Sequence, residues 1–238
     1  MNSRRSVILL LFCAAASVSG PLHAEDWGQN YPDHIRQGLS ASFSDPRWII
    51  AAGAVAGLSA WDADVRAAAA NRLLPEPLAQ VGTYYGYGVN YLAGSAVILT
   101  GGFGSLSLNR KARLDDWQTF SEAYAVTTAG TLLIKKFTHR LRPDSSSYDA
   151  FPSGHTSTSA CVAAHLNRRY GTGAGIPAAA LMVITGLSRL HHNRHWFSDV
   201  LAGALLGGLI GDGFGRLQRP NDIKPAAQQW QMTLVLHF

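Results

Sequence analysis

Pro152 to Tyr170 reads PSGHTSTSACVAAHLNRRY: a proline, a serine of the helix-capping type, and then a run from His155 to Tyr170 free of glycine and proline. The pattern predicts a helix from Ser153 to Tyr170, ended by Gly171-Thr172-Gly173. Upstream, Trp117 to Lys136 reads as a helix with Lys135 near its C-terminal end, and Pro143-Asp144-Ser145-Ser146-Ser147 reads as a loop. Downstream, a third helix from about Ile176 carries Arg189 near its C-terminal end. A fourth, capped near Ser198-Asp199, continues through Leu206. Short connections favour up-and-down neighbours, so the C-terminal ends of the first and third helices should meet the N-terminal ends of the second and fourth. The expected fold is therefore all-α, an up-and-down bundle of about six helices once the upstream apolar segments are included. Its polar motifs should gather at one pole.

The residues at that pole describe a seat for a phosphate ester. Phosphoryl transfer spreads negative charge over three oxygens, so it needs fixed positive donors, an in-line nucleophile and an acid for the leaving oxygen. Ser153-Gly154-His155 opens a helix, where free amides and a partial positive charge favour an anion, and Gly154 lets the backbone approach closely. Arg142 and Arg189 offer planar forks to phosphate oxygens, and Lys135 offers a mobile point charge. His195 and Asp199 are four apart, so on a helix the carboxylate would hold one imidazole nitrogen and leave the other aimed at phosphorus. His155, across the seat, is then the general acid for the departing alcohol.

Lys135-x6-Arg142-Pro143, Pro152-Ser153-Gly154-His155 and Ser188-Arg189-x5-His195-x3-Asp199 together resemble the three-part signature of the type 2 phosphatidic acid phosphatase (PAP2) superfamily. That superfamily also includes bacterial class A acid phosphatases and vanadium haloperoxidases. Every signature position is filled, in order, and the matching core covers about Trp117 to Arg216. The resemblance implies that His195 forms a phosphohistidine intermediate, that Asp199 orients it, and that His155 protonates the leaving group and later activates water. It assigns Lys135, Arg142, Ser153, Gly154 and Arg189 to the phosphoryl oxygens, with no cofactor.

His191 and His195 have the spacing of helical zinc ligands, but no third ligand of convincing spacing accompanies them and Asp199 is better used beside His195, so no metal is expected. His139, His165, His191 and His192 are read as surface or supporting residues.

Arg4 and Arg5 precede an apolar run from Val7 to Val18, and small residues follow up to Ala24, the pattern of a secretory leader over residues 1–24. Residues 25–225 are then the catalytic domain and 226–238 a tail. The expected location is the cell envelope, with the active pole facing the periplasm. Loss of the leader removes Cys13, leaves Cys161 without an intramolecular disulfide partner, and takes the formal charge from +5 to +3. A chain with 47% hydrophobic and 15% charged residues supports one sizeable core; it lacks the basic stripe of a nucleic-acid binder.

Apolar stretches at Trp48–Ala60, Tyr91–Leu108, Ala174–Leu187 and Val200–Gly211 mostly fall short of the ~20 residues of a spanning helix, and the mean hydropathy is only +0.03. The reading is nevertheless a membrane-associated bundle, with Asp62, Asp64 and Arg66 opening an amphipathic segment that lies at an interface or covers the bundle. The tail alternates Trp230, Met232, Leu234, Leu236 and Phe238, the period of a short edge strand. The expected partner is a phosphorylated lipid or a small phosphate ester; oligomeric state is left open. The favoured activity is a lipid phosphatase. Its competitors are a soluble periplasmic acid phosphatase, a vanadate-dependent haloperoxidase and a non-catalytic lipid-binding protein.

Overall fold

The computed structural model describes residues 31–44, 46–70, 72–102 and 110–217. The expected leader with Cys13 and the alternating tail lie outside the described residues. Within them every regular element is helical, as expected. In chain order these are α1 (Tyr31–Ser42), α2 (Arg47–Leu58), a 3-10 turn (Ser59–Trp61), α3 (Asp62–Ala69), α4 (Glu76–Tyr84), a π segment (Tyr85–Val89), α5 (Asn90–Thr100), α6 (Arg110–Thr138), α7 (Gly154–Tyr170), α8 (Thr172–His191) and α9 (Phe197–Gly215).

Three boundaries differ from the sequence reading, each for a local reason. Helix α6 starts at Arg110 rather than Trp117, because Arg, Lys, Ala and Leu ahead of the tryptophan are good helix formers. Gly171, at φ 77°, makes the whole turn after α7, so Thr172 already opens α8. Helix α9 is capped at Trp196 rather than near Ser198, because the Asp199 carboxylate reaches back to the Trp196 N–H at 2.7 Å.

Helices α7 and α9 pack backbone to backbone. Gly203, Gly207 and Gly211 recur every fourth residue on α9, and a Cβ added to them would lie 2.5, 1.8 and 2.3 Å from the carbonyl oxygens of Ser153, Ser157 and Cys161. Such spacing permits no side chain. Gly208, on the other side of the same helix, would meet nothing within 4 Å. Gly207→Ala is therefore expected to cost at least about 1–3 kcal/mol of stability through overpacking, while Gly208→Ala should be neutral or slightly stabilising; paired denaturation curves check the contrast.

The second half of the core is aromatic, with Tyr91 stacked on Phe120 at 5.5 Å and Phe120 tilted against His165 at 5.4 Å. His165 is thus a fully buried core residue rather than a surface one. Three helical stretches, Trp48–Ala69, Thr172–His191 and Phe197–Gly215, are long and apolar enough to cross a membrane. They exceed the apolar runs read from sequence because each helix continues into polar residues at its ends. Ile49, Ile50 and Trp61 on the first are exposed.

Candidate active site

The ends of α6 and α8 meet the starts of α7 and α9, so the expected pole forms. The Ser153 N–H donates to the Asp199 carbonyl at 2.9 Å and ties the two helix starts together. Around that tie lie Lys135, Arg142, His155, Arg189 and His195, close enough for their charges to act on one another.

His195 is buried in the turn before α9, and its Nδ1 lies 2.7 Å from the Ala150 carbonyl. A carbonyl oxygen can only accept, so the proton sits on Nδ1 and Nε2 keeps its lone pair. Asp199, the partner expected from the spacing, is 3.7 Å from Nδ1, outside hydrogen-bond reach. Its carboxylate receives the Trp196 N–H on Oδ2 and Arg140 Nη1 on Oδ1, the latter at 2.8 Å. The reason is that His195 precedes the helix, so four residues do not make one turn. Asp199 fixes the turn that carries His195 and meets the ring itself only at ion-pair distance. Burial pushes the His195 pKa down, with Lys135 and Arg142 acting in the same direction and Asp199 opposing, which favours neutral imidazole.

His155, near the start of α7, is pushed down to about 3 by burial and by the charges of Arg189, His195, Arg142 and Lys135. Its Nε2 is buried without a hydrogen-bond partner. The Tyr87 ring meets it edge-on at 4.4 Å, and a Cβ at Gly86 would lie 2.4 Å from its Cδ2, so the π segment holds the ring from one side. A groove of about 310 Å³ runs from His155 and Lys135 past Gly154, Tyr124, Thr128 and Leu132.

The loop between α6 and α7 is folded on itself: Arg142 N–H donates to Ser147 O and Ala150 N–H to Arg140 O, both at 2.9 Å. Asp149 holds Arg142 through Nη2 at 3.0 Å, while Nε approaches Oδ1 at 2.8 Å without the alignment of a hydrogen bond. Lys135 Nζ contacts the Asp149 carbonyl. Arg189 donates through Nε to Ser188 Oγ at 3.2 Å and through Nη2 to Thr83 Oγ1. The Ser153 hydroxyl pairs with Thr156 Oγ1 at 3.0 Å and does not cap α7, so no side chain occupies the helix start. A Cβ at Gly154 would be in ordinary contact, 3.7 Å from Thr131 Cγ2, so nothing in the protein itself demands glycine there. Close approach of a ligand would.

Residues 118–221 match the family model of the PAP2 superfamily. The match covers somewhat less than half of the chain. All eight site residues read from sequence lie inside it. Over 76 residues the chain is 41% identical to the lipid A 1-phosphatase of Porphyromonas gingivalis, a match covering 31% of this chain and 17% of that protein. The chain thus matches about a sixth of the length of that curated relative. In structure it is similar to a transmembrane PAP2-type phosphatidylglycerolphosphate phosphatase from Bacillus subtilis, with a TM-score of 0.54 and 22% identity over 74% of this chain and 92% of that one. That likeness establishes the PAP2-type fold.

Two residues join the candidate site without any signal in the motifs. Arg140, two residues before Arg142, donates to Asp199, to Ser198 Oγ at 2.7 Å and to Asp62 Oδ2 at 2.6 Å. Asp62 also accepts the Ser198 N–H at 2.8 Å and the Ser198 hydroxyl at 2.6 Å. Of the two places open to the amphipathic segment, at an interface or over the bundle, its first residue takes the second: Asp62 is a buried carboxylate that anchors α9. Only contact across the fold reveals it.

Proposed function

We propose that this protein is a metal-independent phosphatase acting on phosphomonoesters or terminal diphosphates of lipids through a phosphohistidine intermediate. The observation that carries the reading is the 2.7 Å contact between His195 Nδ1 and the Ala150 carbonyl: with Nδ1–H committed there, the Nε2 lone pair is left to attack phosphorus. As the N–P bond forms, the P–O bond to the lipid breaks and the leaving oxygen takes a proton from His155. A phosphate ester, with a second pKa of about 6, brings both the proton and the negative charge that His155 needs. Water, deprotonated by His155, then attacks the phosphohistidine and releases inorganic phosphate with His195 neutral again. Arg142, Arg189, Lys135 and the open start of α7 hold the phosphoryl oxygens throughout.

A lipid substrate is supported by the three apolar helical stretches and by the groove at His155, whose lining includes Tyr124 and Leu132. The named relatives act on lipid A and on phosphatidylglycerol phosphate, which places both head groups on the test panel beside phosphatidic acid and polyprenyl diphosphate. The leader implies an active pole outside the cytoplasm. The test is phosphate release by purified protein in detergent with chelator present. Release from a lipid at a rate above that from an aryl phosphate is expected, and the panel ranks the head groups. Release from the aryl phosphate alone would replace this reading with a broad-specificity acid phosphatase.

A further inference from the structure

We propose that Glu76, His191 and His192 form a binding site for one divalent transition-metal ion of the zinc type, outside the phosphate seat. Glu76 opens α4, His191 closes α8 and His192 follows it, so the set joins two helices that no local spacing would connect. Helix α4 is held there by close packing: a Cβ at Gly82 would lie 2.6 Å from the Ile184 carbonyl.

The distances suit the ion. His191 Nε2 lies 3.3 Å from Glu76 Oε2 and His192 Nε2 lies 3.4 Å from Oε1, and the three ligand atoms all fall within 4.8 Å of one another. A tetrahedral zinc with bonds of about 2.0–2.1 Å places its ligands roughly 3.3–3.4 Å apart, and each imidazole already stands at that spacing from one of the two Glu76 oxygens. The Glu76 side chain is 56% exposed, His192 25% and His191 4%, which leaves an entry path and an open position for water.

Second-sphere contacts select the ligand tautomer at His192. Thr83 donates its hydroxyl proton to Ala79 O at 3.0 Å, so its oxygen receives from Arg189 and from His192 Nδ1, which is 3.4 Å away. With the proton on Nδ1, the Nε2 lone pair of His192 faces a carboxylate oxygen. Two acceptors do not face one another without a proton or a cation between them. His191 supplies the cost: Leu74 N–H donates to its Nδ1 at 3.3 Å, so its proton sits on Nε2 towards Glu76. Metal binding moves that proton to Nδ1, a tautomer shift with no net proton released, and gives up the long Leu74 contact. His195, at zinc-like spacing from His191, takes no part, because its ring is turned to Ala150.

The test uses the full chain, stripped with chelator and titrated with zinc against a chromophoric competitor. Expected is one zinc per chain, a tenfold or greater weakening in Glu76→Gln and in His192→Ala, unchanged binding in His195→Ala, and no competition from magnesium. Both ligand substitutions are at partly exposed positions, and cobalt(II) absorption of the wild type provides a reading that needs no variant: intense visible bands of a tetrahedral site are expected. Absence of stoichiometric zinc, retention of full affinity in Glu76→Gln, or loss of it in His195→Ala would each overturn the assignment. The readout is metal binding, so a failure here leaves the phosphatase reading untouched.

Discussion

Replacement of His195 by alanine is expected to reduce phosphate release more than about 10³-fold, with the fold intact, because it removes the nucleophile rather than a support. The residual rate would come from the cations and the open start of α7, which still bind the phosphoryl group. Wild-type protein quenched during turnover should carry a phosphate stable in alkali and lost in acid, as a phosphoramidate is. His155→Ala separates the two half-reactions. An aryl phosphate has a good leaving group and needs little acid, so this variant should still form the phosphohistidine. It should then accumulate it, because water has lost its base, with steady-state turnover down by about 10²–10⁴-fold. Release by His195→Ala within tenfold of wild type would sink the nucleophile assignment.

The pH dependence follows from the two rings. Both histidines are pushed down, His155 to about 3, so each is neutral in the free site near pH 7. That suits His195, which attacks as the free base and stays competent as the medium becomes mildly acidic. It opposes His155, whose protonated fraction falls tenfold for each pH unit above its pKa. A bound phosphate offsets the surrounding cations and raises that pKa. The basic limb in kcat, which reports the complex, should therefore lie at higher pH than the limb in kcat/KM, which reports the free site. Coincident limbs would remove His155 as the acid.

The bundle and its polar pole were legible because helix ends, caps and glycines act locally. Ser153 at the start of α7 and the small residues of α9 are signals within a few positions of the structure they cause. The seat residues were legible for the same reason, since each motif sits on one helix end. Partnerships were not. Asp199 looked like the holder of His195 because four residues suggest a turn of helix, yet the carbonyl that holds the ring belongs to Ala150, 45 positions upstream. A backbone acceptor leaves no trace in the identity of its residue. Asp62 and Glu76 were equally silent, since Arg140 and Ser198 lie 78 and 136 positions from Asp62, and the two histidines more than 100 from Glu76. His191 and His192 carry no local sign of Glu76 for the same reason.

Arg140→Ala is expected to destabilise the protein by about 3 kcal/mol, the lower end of the range for breaking a buried pair. Asp199 has no exposed side-chain surface and Asp62 only 6%, so both carboxylates depend on the single guanidinium that bridges them. The lower end applies because Arg140 itself is 30% exposed and water can partly replace it. Arg140→Lys should recover only part of the loss, since an ammonium cannot send two forks to two acids. Adding Asp62→Asn to Arg140→Ala should recover another part by removing one of the stranded charges. Denaturation midpoints of the three variants read these differences. The same variants should lose turnover beyond their unfolded fraction, because the Asp199 cap of Trp196 sets the turn from which His195 reaches phosphorus. A loss below about 1 kcal/mol in Arg140→Ala, or full rescue by lysine, would show that solvent rather than Arg140 balances the two acids.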